Sequence, residues 1–210
     1  GFYNGDETQA PCILLEYFNH NLNNSIKIIE DVYRVSIIYE ICDAMKFVHE
    51  KGFIHRDLKP TNILLDNEIH VKICDFGIST LIPTDDSSVT TQTTIFGGTR
   101  GFIAPELFQG RKYNEKVDVY AFGVVCHFIL TQGDIPEINF VDALIANKIE
   151  LSTKINKISD KMIRKCLSIS PDDRPSFAEI IEYIKENKME LINGIDDKNS
   201  LLRSQLKNSF

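Results

Sequence analysis

The run from Val119 to Leu130 is apolar nearly all round, and only a helix in the middle of a core tolerates that pattern. It is too short to cross a bilayer, which needs about 20 apolar residues. The rest of the chain must therefore build a shell around this helix. Part of that shell is readable at once. From Asp31 to Lys51 the residues Val32, Val35, Ile38, Ile41, Cys42, Met45 and Val48 recur at three- and four-residue spacing, with Gly52 as a C-terminal stop. That periodicity predicts an amphipathic helix. Further on, a helix is expected near Ser159 to Ser168, ahead of Pro171. Another should open at the capping box Ser176 to Glu179, with Ile180, Ile181 and Ile184 as its apolar face.

Strand signals are fewer. Cys12 to Phe18 is an apolar, strand-like run after the Gly5-Asp6 turn and Pro11. Ile63 to Leu65 and Val71 to Cys74 flank the turn Asp66-Asn67 as a small hairpin. Pro83 to Thr94 carries seven Ser or Thr and Val89 as its one apolar residue, so it reads as a mobile surface loop. Asn193 to Phe210 is polar and reads as a linker or frayed extension.

With 210 residues, 43% hydrophobic and 25% charged, one folded domain is the default, and a core of this size needs no disulfide or metal. The net charge of -7 argues against nucleic acid or an anionic membrane as the main partner, since both select basic faces. Cys12, Cys42, Cys74, Cys126 and Cys166 are spread singly, which suggests neither a zinc site nor a disulfide framework and fits a reducing cytoplasm. The opening Gly-Phe-Tyr-Asn-Gly-Asp-Glu has no basic start and no apolar signal core, and reads as the interior of a longer protein.

Three strings carry chemistry: His55-Arg56-Asp57-Leu58-Lys59-Pro60-Thr61-Asn62, then Asp75-Phe76-Gly77, then Ala104-Pro105-Glu106. A lone loop aspartate is ordinarily a turn or cap residue; these stand together and in order. Phosphoryl transfer requires carboxylates and an amide that hold metal ions, a cation beside the moving group, and a base near the attacking hydroxyl. Asp57, Lys59, Asn62 and Asp75 supply that inventory. The set resembles the H-R-D-L-x-x-x-N, D-F-G and A-P-E strings of protein kinases. The resemblance implies an α+β protein kinase-like fold with a mostly helical C-terminal lobe and a small N-terminal lobe largely absent. It covers roughly residues 1–188, leaving 189–210 as a polar tail.

By that resemblance Asp57 orients or accepts the proton of the attacking hydroxyl, Asn62 and Asp75 hold magnesium against the phosphates of ATP, and Lys59 sits beside the transferred group. Lys59 and the pair Gly98-Thr99, whose threonine would brace Asp57, look like a serine/threonine enzyme acting on protein substrates. Leu14 to Phe18 resembles the hinge that receives adenine, with Leu15 as gatekeeper, Glu16 and Phe18 offering backbone groups, and Leu64 as the floor. His55 and Phe76 would stack in an apolar spine ending on Asp118, Glu106 would pair with Arg174, and Arg56 would grip a phosphate on the segment holding Ser87, Ser88, Thr90, Thr91, Thr93 and Thr94. His20, His49, His70 and His127 read as surface or core fillers. Asp118 to Gly123 and Arg174 to Phe177 look like the tyrosine-kinase-like group.

No glycine-rich lid and no V-A-I-K strand occurs in the chain. The residues given are thus expected to be feeble catalysts alone, and the competing reading is a non-catalytic pseudokinase module that binds protein partners. A cytoplasmic location is the expectation from the cysteine usage, with a membrane-spanning parent left open.

Overall fold

A computed structural model describes residues 2–3, 12–82, 98–138 and 149–193. The short strands β1 (Phe2–Tyr3) and β2 (Cys12–Ile13) pair antiparallel, and β3 (His20–Asn21) leads into the single turn α1 (Leu22–Ser25). The next helix, α2 (Asp31–Glu50), buries Val32, Val35, Ile38, Ile41, Cys42 and Met45. Its end is set by Lys51, whose N–H returns to Phe47 O, and by Gly52 at φ 80°, a conformation that costs a residue with a Cβ.

Four strands follow α2: β4 (Phe53–Ile54), β5 (Ile63–Leu65), β6 (Val71–Ile73) and β7 (Thr80–Leu81). β5 and β6 form the expected hairpin, with Ile63 opposite Ile73 and Leu65 opposite Val71, and β3 pairs on the other side of β5. The hairpin turn is fixed by Asp66, whose Oδ1 accepts from the N–H groups of Glu68 and His70. Those bonds hold its carboxyl below the usual aspartate range. β4 pairs with β7, so the loop between β4 and β5 leaves one small sheet and enters another.

The apolar run becomes α4 (Lys116–Thr131), entered after the short α3 (Pro105–Phe108). All but one of its residues from Val117 to Ile129 and beyond to Thr131 are buried, Leu130 being the half-buried exception. Helix α5 (Lys157–Cys166) is capped by Asn156 through Ser159 N–H. It lies so close to α4 that a Cβ on Gly123 would stand 2.8 Å from the Cys166 Cβ. The capping box opens α6 (Phe177–Glu186), where Ser176 and Glu179 exchange bonds. α7 (Lys188–Asn193) completes the described chain and buries Leu191, so the packed body continues past residue 188. Among the described residues no helix is long and apolar enough to cross a membrane.

The expected strand from Cys12 to Phe18 is a correction: residues 14–18 are irregular, and Leu14, Leu15 and Tyr17 are 65, 81 and 83% exposed. A strand forms only where a neighbour takes up its backbone hydrogen bonds, and past Ile13 no partner strand lies alongside among the described residues. The turn at Gly5-Asp6, the Ser/Thr-rich segment with its six candidate acceptors, and the tail beyond Asn193 lie outside the described residues.

Candidate active site

The loop from His55 to Asn62 hangs from the core helix. Asp118, in the first turn of α4 and 1% exposed, accepts from His55 N–H at 2.8 Å (Oδ2) and from Arg56 N–H at 2.8 Å (Oδ1). Arg56 has φ 70°, a left-handed conformation that costs a non-glycine residue about 1–2 kcal/mol. The buried carboxylate holds the chain in it. The expected spine is present in part: the His55 and Phe76 rings meet edge to face at 4.7 Å between centroids. His55 Nδ1 accepts from Asp57 N–H and Nε2 donates to Cys74 O.

Three of the four side chains of the proposed inventory are joined through Asp57, which both Lys59 and Asn62 bond. Lys59 Nζ donates to Asp57 Oδ2 at 2.6 Å and to Thr99 Oγ1 at 2.7 Å. Thr99 in turn donates to Asp57 Oδ1 at 3.0 Å. Asn62 Nδ2 donates to Asp57 Oδ2 at 3.1 Å and to Asp57 O at 2.9 Å. Both carboxylate oxygens of Asp57 are thus held by donors, and charge-assisted bonds of this kind are the strong ones. The Thr99 brace is as expected.

The fourth side chain is placed through its neighbour. Cys74 N–H donates to Asn62 O, and Cys74 O accepts from His55, so the residue before Asp75 is gripped from both sides by the loop that carries Asp57. Asp75 itself has φ 64° and is exposed, with Gly77 N–H at 3.4 Å from its Oδ1. A Cβ on Gly77 would come within 3.2 Å of that oxygen, so a larger residue there would move the Asp75 carboxylate by a few tenths of an ångström. Leu64 lies in β5, half-buried, opposite Asn21. Glu16 is exposed and Phe18 half-buried on the irregular hinge segment. An apolar cavity of about 370 Å³ opens beside Phe76, lined by Phe47, Val48, Lys51, Phe53 and Ser79; the acids do not line it.

The oxygen donors fit a hard cation such as magnesium, which takes one or two protein ligands and completes its shell with phosphate oxygens and water. Asn62 spends its Nδ2 on Asp57, which leaves its amide oxygen as the atom that could ligate a cation. Among the described residues no cluster of three or more His, Cys, Asp or Glu side chains is placed to hold a metal ion.

Three histidines expected as fillers are specifically bonded, the exposed His70 meeting Glu40 Oε1 through Nδ1 at 3.3 Å. His49 Nε2 donates to Asp118 Oδ2 at 2.9 Å. His127, 3% exposed, donates from Nδ1 to Asp134 O and accepts Ser152 N–H at Nε2, and burial lowers its pKa. The signal for His49 was its place four residues after Met45, on the buried stripe of α2. The expected ion pair forms: Arg174 and Glu106 meet through two bonds of 2.6 and 2.8 Å. Arg56 lies over the Tyr113 ring at 5.4 Å.

Residues 3–184 match the family described as "Protein kinase domain". A receptor-like protein kinase of the leaf rust 10 disease-resistance locus type from Arabidopsis thaliana is 33% identical over 193 residues, covering 78% of this chain and 28% of that protein. A probable serine/threonine-protein kinase of Dictyostelium discoideum is 36% identical, covering 72 and 15%. The mitogen-activated protein kinase kinase kinase dlk-1 of Caenorhabditis elegans is 34% identical, covering 89 and 21%. The chain spans less than a third of the length of each of these relatives. With the family matched along most of the chain and Asp57, Lys59 and Asn62 gathered in one cluster, this chain belongs to the eukaryotic protein kinase family.

Proposed function

We propose that this chain, from the hinge through α7, is the hinge and large lobe of a kinase that moves the γ-phosphoryl group of ATP to serine or threonine hydroxyls of protein substrates, with the polar stretch after α7 as a tail. The observation that carries this reading is the Asp57 carboxylate, held on both oxygens by Lys59, Asn62 and Thr99. Asp57 orients the attacking hydroxyl and takes its proton, and Lys59 sets the charge beside the transferred group. Asn62 and Asp75 are the residues that would hold magnesium, which when bound neutralises charge on the phosphates. Backbone groups of Glu16 and Phe18 receive the adenine edge, above Leu64.

The relatives' names, serine/threonine kinases and a receptor-like kinase among them, support the serine/threonine type. Cys42, Cys74, Cys126 and Cys166 are free thiols, which suits a cytoplasmic location. The exposed hinge supports a further step: residues 1–210 alone transfer phosphate slowly, and chain added upstream of Gly1 raises the rate by covering Leu15 and Tyr17. Equal rates with and without that extension would refute the dependence.

The test of the function itself is phosphoryl transfer by the full-length protein to basic and acidic protein substrates. In Asp57→Asn the rate should fall by about 10²–10⁴-fold, the range for removing a general base, with nucleotide affinity retained. A variant as fast as the wild type would remove Asp57 from the chemistry. A wild type that binds protein partners but transfers nothing would leave the non-catalytic module as the function.

A further inference from the structure

We propose that Arg100 selects substrates by receiving an acidic side chain one or two residues from the acceptor hydroxyl; this rests on the kinase reading above and deepens it. A substrate must bring its hydroxyl to within about 3 Å of the Asp57 carboxylate. Thr99 lies beside that point, since its Oγ1 is 3.0 Å from Asp57 Oδ1 and 2.7 Å from Lys59 Nζ. Arg100 is the next residue. The backbone that presents it is fixed at both ends. Phe102 N–H donates to Thr99 O at 3.0 Å, which closes a turn with Arg100 and Gly101 at its centre. Gly101 has φ 93°, the left-handed third position that a type II turn requires. Thr99 is tied to the catalytic loop, and Phe102 is buried in the core.

The Arg100 side chain is exposed, and among the described residues it makes no hydrogen bond or ion pair. The cations around it are engaged. Lys59 is spent on Asp57 and Thr99, Lys116 donates to Arg174 O, and Arg56 lies over the Tyr113 ring. A free guanidinium offers N–H donors in a fork that fits a carboxylate through two bonds. Gly101 leaves room beside it, because a Cβ there would meet Ile135 Cγ2 at 3.7 Å and nothing nearer. Ile135 is 44% exposed, so an apolar surface borders the turn on that side. Asp134, next to Ile135, is faced by Lys154 at 3.9 Å, and the uncompensated charge at the turn is therefore positive. Extended chain advances about 3.3–3.6 Å per residue. A carboxylate one or two residues from the acceptor thus lies about 3–7 Å along the substrate from it, over the turn that holds Arg100.

The experiment offers full-length wild type, Arg100→Gln, Arg100→Glu and Arg111→Gln a set of otherwise neutral serine peptides, each with a single aspartate or a single lysine at one of the first few positions on either side of the serine. Arg111 is also exposed and lies outside the turn, so R111Q makes the same change of net charge elsewhere. In the wild type, kcat/KM for the best aspartate peptide should exceed that for its lysine counterpart by about 5-fold or more, the upper end for an exposed ion pair. R100Q should bring this ratio to within about 2-fold of unity, R100E should invert it, and R111Q should keep it. A wild-type ratio within about 2-fold of unity at every position overturns the proposal. So does a ratio that R100E leaves in place, or one that R111Q lowers as far as R100Q does. The same peptides with alanine for serine are titrated by NMR, and their affinities should follow the same order. A wild type that transfers nothing sinks the kinase reading alone, and those affinities still decide for or against Arg100.

Discussion

Replacing Arg174 by methionine keeps much of the side-chain volume and removes a guanidinium whose five N–H groups are all engaged. Nε donates to Ser168 O at 2.8 Å. One terminal nitrogen donates to Glu106 Oε1 at 2.6 Å and Lys116 O at 3.0 Å, the other to Glu106 Oε2 at 2.8 Å and Ile169 O at 3.2 Å. Arg174 is 2% exposed and Glu106 5%. The substitution therefore strands a buried carboxylate and takes a donor from three backbone carbonyls. Breaking a buried pair from one side costs about 3–5 kcal/mol. At about 2–4 °C per kcal/mol for a chain of this size, the melting temperature should fall by about 6–20 °C. Urea unfolding followed by circular dichroism gives the free energy. Adding Glu106→Gln removes the stranded charge, so the double variant should recover about 1–3 kcal/mol relative to the sum of the two single losses. Strict additivity, or an R174M loss below about 1 kcal/mol, the net worth of an ordinary hydrogen bond, would refute the reasoning.

Gly123→Ala should destabilise although alanine is the better helix former. The new methyl would stand 2.8 Å from Cys166 Cβ and 3.0 Å from Leu167 Cδ2, and overpacking of about 1–3 kcal/mol exceeds the propensity gain of about 1 kcal/mol; an unchanged urea midpoint would contradict the close approach. His127 makes stability depend on pH. Burial lowers its native pKa, so the unfolded chain binds more protons, and stability present above the ordinary histidine value of about 6.5 is lost as pH falls below it. Unfolding free energies at about pH 7.5 and about pH 5.5 should differ less in His127→Gln than in the wild type, and an equal difference would rule out this histidine as the source.

What the sequence disclosed was local. The capping box at Ser176 and Glu179, the stop at Gly52 and the buried stripe of α2 are each settled within a few residues, and the structure has them where the pattern put them. Asp57, Lys59 and Asn62 lie within one loop, so their convergence was legible from the string itself. Partners distant in sequence were not. His49 and Asp118 are 69 residues apart, and a histidine pattern alone carries no mark of a carboxylate on another helix. The hinge failed for a related reason: Leu14 to Phe18 has strand-forming composition, but a strand is a property of two segments, and composition reports on one.

The two chemically loaded segments share one structural device. Arg56 and Asp75 both adopt left-handed backbone, at φ 70° and 64°, each at about 1–2 kcal/mol, and neither is a glycine that would adopt it freely. The amide of Arg56 is held by Asp118, and the peptide before Asp75 by His55 and Asn62. His55 takes part in both restraints, through its own N–H to Asp118 and its Nε2 to Cys74 O. A conformation that is costly in isolation persists only where the surroundings over-determine it, and here the surroundings trace back to one carboxylate in the first turn of the core helix. The apolar run from Val119 onward is thus part of the site, because a carboxylate on a looser element could not hold two strained peptides in register.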